Sequence, residues 1–280
     1  MTLTLKTIHG VWQRVTHSEI GLIAAGIGFF GFLAIFPALA AVITIWGFAA
    51  DPAVVETQLA LAQNYLPKDA FDLLNGQVQR ILATNTSSLG VTTLLSTLFA
   101  LWSARAGVSA LISGLNAIHG LPHRSGLRHV LRAFVLTLVL IGLVLSGMVL
   151  AVIVPLVLGF LPLGKSAVIA LGAANFLLGM MLVMASITLA YRLGPNRTKQ
   201  DHDQRKVIPG LLLSVVLWVA VSRGLVFYLS NFANYNQVYG SIGAVVALLM
   251  WFYLSAFVVL LGAALNAELE AQRAAPNRAL

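Results

Sequence analysis

Apolar residues in this chain come in long unbroken runs, not at the alternating spacing of a half-buried strand or the three-and-four spacing of a surface helix. Charge is absent from Ile20–Ala50, Ile81–Ala104, Ala133–Gly164, Ser166–Tyr191 and Gly224–Ala267. A shorter run, Val207–Ser222, is separated from the last by Arg223 alone. A helix rising 1.5 Å per residue needs roughly 20 apolar residues to cross about 30 Å of hydrocarbon. The backbone must satisfy its own hydrogen bonds there, so each run is read as a helix. The last run holds the end of one span, the polar turn Asn231–Gly240 and a further span. The pattern predicts six spans, over Gly21–Ala49, Leu89–Leu111, Ala133–Phe160, Ser166–Ala190, Val207–Ser230 and Ser241–Leu265. The expected fold is all-α: a polytopic membrane protein with six transmembrane helices, forming one integral membrane domain over residues 1–280.

Local features refine these elements. In the first span Ala24 and Gly28 stand four apart, which lets another helix approach closely. Pro37 is expected to kink that span or mark a local break. Residues 51–86 form the one substantial segment outside the spans. There Asp51-Pro52 with Glu56 reads as a helix start. Further on, Phe71, Leu74, Val78, Ile81 and Leu82 share one face. The segment is expected to form amphipathic helices on the membrane surface or capping the bundle. Trp12, among polar residues near the N-terminus, suits an interfacial anchor.

Composition agrees with a lipid-solvated chain. Of 280 residues, 59% are apolar and 9% charged, and the mean hydropathy is +0.91. A soluble domain carries about a quarter charged residues. Cysteine is absent, which excludes disulfides, thiolate metal sites and cysteine nucleophiles. The first twenty residues lack the apolar core of a cleavable signal, so the first span is expected to serve as an uncleaved insertion signal. The net charge of +8 would suggest nucleic acid in a soluble protein, but the placement of the charges argues otherwise. With six spans, the alternate connections carry 12 Lys and Arg on one side and 3 on the other. The basic side is expected to be cytoplasmic, with both termini inside. Topology accounts for the basic loops, and no nucleic-acid partner is expected.

Candidate chemistry is sparse. Gly159–Ser166 fits the phosphate-loop pattern G-x-x-x-x-G-K-[ST]. It joins two spans instead of following a strand, and Pro162 removes a backbone N–H from the cradle, so it reads as an interhelical turn. His119 and His123 stand four apart, but Gly120 and Pro122 spoil the helix that would align them as metal ligands. No metal site, cofactor or catalytic constellation is expected. Arg105 and Arg223 each interrupt an apolar run, and the spans contain no Asp or Glu to pair with them. An intramembrane arginine can hold a phosphate or carboxylate bidentately, or snorkel to an interface. The same lack of carboxylates removes the usual proton- or sodium-coupling groups. Asn116 and Asn266 are expected as interhelical hydrogen-bond partners or interfacial caps. Asn266 with Glu268, at the end of the last span, is read as an ordinary solvated helix end in preference to a pairing with a basic cytoplasmic loop.

The residues also resemble a family. The first span through Phe36-Pro37, then Trp102-Ser103-Ala104-Arg105 with Leu115-Asn116, Tyr191–Pro195 and Pro209-Gly210 are similar to the YihY/BrkB family of bacterial inner-membrane proteins. The closing part is most similar: Tyr239-Gly240, Trp251-Phe252-Tyr253, and Gly262 through Asn266 to Glu268. Where the family has a glutamate, this chain has Ala264, which removes a carboxylate near Asn266. The resemblance implies a six-helix protein of the inner (plasma) membrane with a role in the cell envelope or lipid handling. It also brings the label ribonuclease BN. Metal-dependent RNA cleavage needs clustered His and Asp or paired carboxylates, and the sequence offers none. The leading expectation is a non-enzymatic membrane protein, of the kind a transporter would be, that binds or translocates an anionic lipid or envelope precursor through Arg105 and Arg223. The alternatives are a non-catalytic scaffold or assembly factor and, third, a ribonuclease BN-type enzyme. Membrane lipids are the expected partners, with homo-oligomerisation left open.

Overall fold

A computed structural model describes residues 5–49, 75–76, 86–122, 126–160, 165–196, 207–231 and 241–274. Among them every extended element is a helix: α1 (Leu5–His17), α2 (Ile20–Ala49), α3 (Thr86–Ile118), α4 (Leu127–Phe160), α5 (Lys165–Leu193), α6 (Ile208–Asn231) and α7 (Ser241–Ala274). Helices α2 to α7 are long and apolar enough to cross a membrane, which gives the six spans. The predicted amphipathic segment lies almost wholly outside the described residues, as do the turn holding Tyr239 and Gly240 and residues 161–164 of the phosphate-loop look-alike.

The helices outrun the predicted spans at several ends. Asn116, five residues past the predicted end of its span at Leu111, lies in the last turns of α3, and α7 continues nine residues past Leu265 to Ala274. An apolar run ends where lipid ends, but helical hydrogen bonding continues through residues such as Ala, Glu and Gln that favour it in water. α2 passes through Pro37 to Ala49, so the local break considered at that proline does not occur. α1 was not foreseen as a helix. It closes with Ser18 N–H bonded to the Arg14 carbonyl at 3.0 Å, and Glu19 takes a left-handed φ of 48°. The Glu19 carbonyl then accepts from Leu22 and Ile23 and opens α2.

The chain divides into two compact units. One comprises Phe30–Ala104, and within it Trp102 meets Phe30 edge-on at 6.3 Å and Phe99 at 5.7 Å. The other comprises Met1–Phe29 with Arg105–Leu280. Its core gathers Ile20 and Ala24 of α2, Leu115 and Ile118 of α3, Ile187 and Tyr191 of α5, Leu211 of α6, and Leu260, Ala263, Ala264 and Ala267 of α7. The close approach expected at Ala24 and Gly28 is to α7: a Cβ on Gly28 would stand 3.0 Å from the Tyr253 nitrogen.

Burial differs from that of a water-soluble protein in that many large apolar side chains are exposed while several polar ones are fully buried. The fully buried side chains include Thr7, Ser103, Asn116, Thr137 and Ser214, while Leu22, Val91, Ile169 and Phe227 are exposed. A hydrocarbon solvent leaves apolar side chains on the outside at no cost and requires hydrogen-bonding groups to find partners inside.

Candidate functional site

The polar groups of the larger unit collect at one end, where α3, α5 and α7 finish and α4 and α6 begin. α6 and α7 form the most extensive helix pair there and run antiparallel. Their seam makes about one polar link per turn. Trp251 Nε1 donates to Ser222 Oγ at 3.2 Å, and Trp218 Nε1 donates to Ser255 Oγ at 3.2 Å. Next, Ser214 Oγ donates to the Val258 carbonyl at 2.9 Å. Then the backbones meet: a Cβ on Gly262 would collide with Ser214 Oγ and the Gly210 carbonyl, and one on Gly210 would collide with the Gly262 carbonyl. Only glycine at both positions permits that crossing. Tyr191 of α5 enters the same point, its hydroxyl 2.5 Å from the Val259 carbonyl and 2.8 Å from Ser214 Oγ.

One turn further, Asn266 caps α6 from outside. The first N–H groups of a helix lack intrahelical partners, and Val207, before α6, has no side-chain acceptor to serve them. Asn266 Oδ1 accepts from Gly210 N at 2.8 Å, and its Nδ2 donates to the Val207 carbonyl at 3.1 Å. A second asparagine, on α3, binds a backbone N–H beyond the end of α5. Asn116 Oδ1 accepts from Asn196 N at 2.7 Å, just past the turn Gly194-Pro195 that ends α5. Arg132 of α4 donates to Asn196 Oδ1 at 3.2 Å. For the buried Nδ2 groups of Asn116 and Asn196 no hydrogen-bond partner is found among the described residues.

α1 closes this layer. Arg14 Nε donates to Glu268 Oε2 at 2.9 Å, and its Nη1 donates to the Ile118 carbonyl at 3.1 Å, one of the unsatisfied carbonyls at the end of α3. Glu268 Oε1 accepts from Gln272, whose Oε1 accepts from Thr7. A Cβ on Gly10 would collide with the Glu268 carboxylate, so the glycine lets α1 lie against α7. The expectation of a solvated end at Asn266 and Glu268 is therefore corrected. Asn266 is buried, and both residues are bonded to other helices. The error came from reading the end of the apolar run as the end of packing.

The other singled-out residues are dispersed. Trp102 sits in the aromatic group of the smaller unit, and Pro195, Gly262 and Asn266 belong to the polar layer. Trp251 lies on the seam, with Glu268 at the far end of the same helix. Arg105 is half-buried on α3, and no hydrogen bond or ion pair to it is found among the described residues. Arg223 is exposed on α6. The two arginines are not joined by any contact among the described residues. Sequence reasoning missed Arg14, Tyr191 as a bonding group, Asn196, Ser214 and the Gly210–Gly262 crossing. A signal existed for some of them. Tyr191–Pro195 and Pro209-Gly210 stood among the motif residues, and Arg14 and Glu268 fell on the same side by charge alternation.

Chemically, this layer holds helix ends together. Tyr191 and Ser214 point their hydroxyls at carbonyls and at each other, Asn266 bonds backbone groups on both sides, and Glu268 meets Arg14 while Glu270 lies 4.0 Å from His119 Nε2. Among the described residues no group of three His, Asp or Glu is placed to hold a metal ion.

Comparison with known proteins agrees with this architecture. The model of the family described as virulence factor BrkB matches residues 11–280. The ribonuclease-like protein YfkH of Bacillus subtilis (strain 168) is 26% identical over 283 residues, covering 95% of this chain and 96% of YfkH. A UPF0761 membrane protein of Xanthomonas axonopodis pv. citri (strain 306) is 40% identical over 98 residues, covering 35% of this chain and 22% of that protein. A UPF0761 membrane protein of Xanthomonas oryzae pv. oryzae (strain PXO99A) is 39% identical over 98 residues, with the same coverage. No solved structure matches the chain with statistical significance. With six apolar helices of spanning length and a family match over nearly its whole length, the chain is a membrane protein of the virulence factor BrkB family.

Proposed function

We propose that the protein is a non-enzymatic component of the bacterial inner membrane, with both termini in the cytoplasm, that binds or translocates an anionic amphiphile. A lipid or a lipid-linked envelope precursor has the required chemistry. The observation that carries this reading is Arg105. It lies about three turns before Asn116 on a membrane-spanning helix, half-buried, with no carboxylate against it among the described residues. A guanidinium at that depth is costly unless an anion or water reaches it, and its planar fork suits a phosphate held by two hydrogen bonds. Arg223 has the weaker claim of the two. Its exposure on α6 suits a side chain that reaches along the helix to an interface.

Charge-assisted bonds of this kind contribute about 1.5–3 kcal/mol, and about 1.4 kcal/mol corresponds to tenfold in affinity. Anionic phospholipid retained through purification in mild detergent should therefore fall about tenfold or more in Arg105→Ala. It should fall less in Arg105→Lys, which keeps the charge without the fork. Equal retention by wild type and Arg105→Ala, both monodisperse, would end this reading. A second reading, a membrane scaffold or assembly factor, is favoured by the polar layer, whose groups are directed mostly at one another. In-cell crosslinking that recovers a stoichiometric protein partner, undiminished by Arg105→Ala, would support it over the first.

A further inference from the structure

α1 presents three distinct faces, and among the described residues its contacts with other helices are found on one of them. The packed face holds Thr7, Gly10, Val11, Arg14 and Val15. Thr7 is bonded to Gln272, Arg14 to Glu268 and the Ile118 carbonyl, and the two valines pack on the core. The second face is apolar and uncovered: Leu5 is 86% exposed, Ile8 58% and Trp12 65%. These three stand three and four residues apart, on one side of the helix. The third face is polar and exposed, with Lys6, His9, Gln13 and His17. At 100° per residue the order around the helix is protein, apolar, polar.

We propose that α1 lies along the membrane boundary, with Leu5, Ile8 and Trp12 sunk into the leaflet at the polar-layer end of the protein and Lys6, His9 and Gln13 facing water. Three observations commit the apolar face to lipid. Only Ser18 and Glu19 separate α1 from the spanning helix α2, so α1 adjoins the end of a span. Arg14 holds α1 level with the ends of α3 and α7, two spanning helices. The exposed polar face of the helix carries Lys6 and the helix has no acidic residue, which complements anionic headgroups. Trp12, exposed on the apolar face, is the side-chain type preferred at that depth. The inference stands apart from the role proposed for Arg105, and its test does not involve that residue.

The chain has no cysteine, so single cysteines can be placed and spin-labelled without a background. Ile8→Cys, Trp12→Cys, His9→Cys and Gln13→Cys would be reconstituted in nanodiscs of phosphatidylcholine with phosphatidylglycerol. Leu22→Cys, 70% exposed on α2, serves as the lipid-facing reference. Collision with oxygen, which concentrates in hydrocarbon, is compared with collision with a water-soluble nickel chelate. The oxygen-to-nickel ratio should be several-fold higher at positions 8 and 12 than at 9 and 13, and should approach that at 22. Equal ratios on the two faces would overturn the proposal by placing both in water. So would labels at 8 and 12 shielded from both reagents, which would put a protein partner or a second copy on that face. Replacing phosphatidylglycerol with phosphatidylcholine should lower the ratio at position 12, and an unchanged ratio would remove the anionic preference.

Discussion

Two stretches of the larger unit are similarly hydrophobic and meet opposite fates. On α5, Ile169, Phe176, Leu177 and Met181 are all more than half exposed. On α7, Leu260, Ala263 and Ala264 are buried to within 1%. In water both would be driven inward by their apolar area. In lipid that drive disappears, because the surroundings are as apolar as the side chains. Polar side chains and small residues distinguish the two. α7 offers Ser255, Gly262 and Asn266 toward its neighbours, and every one of them meets a backbone or a donor. The exposed part of α5 carries Gly172 too, but a Cβ there would meet nothing within 4 Å. A glycine by itself does not make a crossing; it permits one where hydrogen bonds hold two helices together.

The sharpest way to break this contrast is to fill the two glycines. Gly262→Leu should drive Ser214, Tyr191 and the Gly210 backbone apart, at the upper end of the roughly 1–3 kcal/mol typical of overpacking. Gly172→Leu, at an open site, should leave stability within about 0.5 kcal/mol. Thermal unfolding in detergent, followed by size-exclusion chromatography, compares them. Equal tolerance of the two would contradict the close crossing. A smaller effect is expected from Asn266→Ala, which leaves the Gly210 N–H and the Val207 carbonyl without their cap and should cost about 1–2 kcal/mol. Native-state hydrogen exchange should show the loss concentrated in the first turn of α6, with that of α5 unaffected. The smallest change is Tyr191→Phe. Two hydroxyl protons, on Tyr191 and Ser214, serve three contacts there, and removing one should cost about 0.6 kcal/mol, the mean for interhelical bonds in a membrane protein. Combining it with Ser214→Ala should give less than the sum of the single effects, since the two groups share partners.

The spans were legible because length and lack of charge suffice to identify them: a helix satisfies its own backbone, and no tertiary partner needs to be known. Their ends were less legible. Asn116 and Glu268 lie beyond the apolar runs, where helical structure continues for reasons of propensity and packing. α1 escaped notice because its apolar residues serve two different faces, Val11 and Val15 one and Ile8 and Trp12 another. No single stripe stands out against the intervening polar positions.

The residues of the polar layer were visible one at a time. Asn266, Gly262, Pro195 and Asn116 could each be singled out by type, and Ala264 could be seen to replace a carboxylate. Only the tertiary structure showed that Ala264 is fully buried in the core, and that Asn266 caps a helix more than fifty residues away in sequence. By itself the sequence determined the solvent of this protein and the number of its crossings, since both follow from a one-dimensional count of charge and apolar length. The folded chain decided which helix ends meet. In lipid that choice rests on hydrogen bonds and close backbone contacts, and the geometry of either exists only once two segments are side by side.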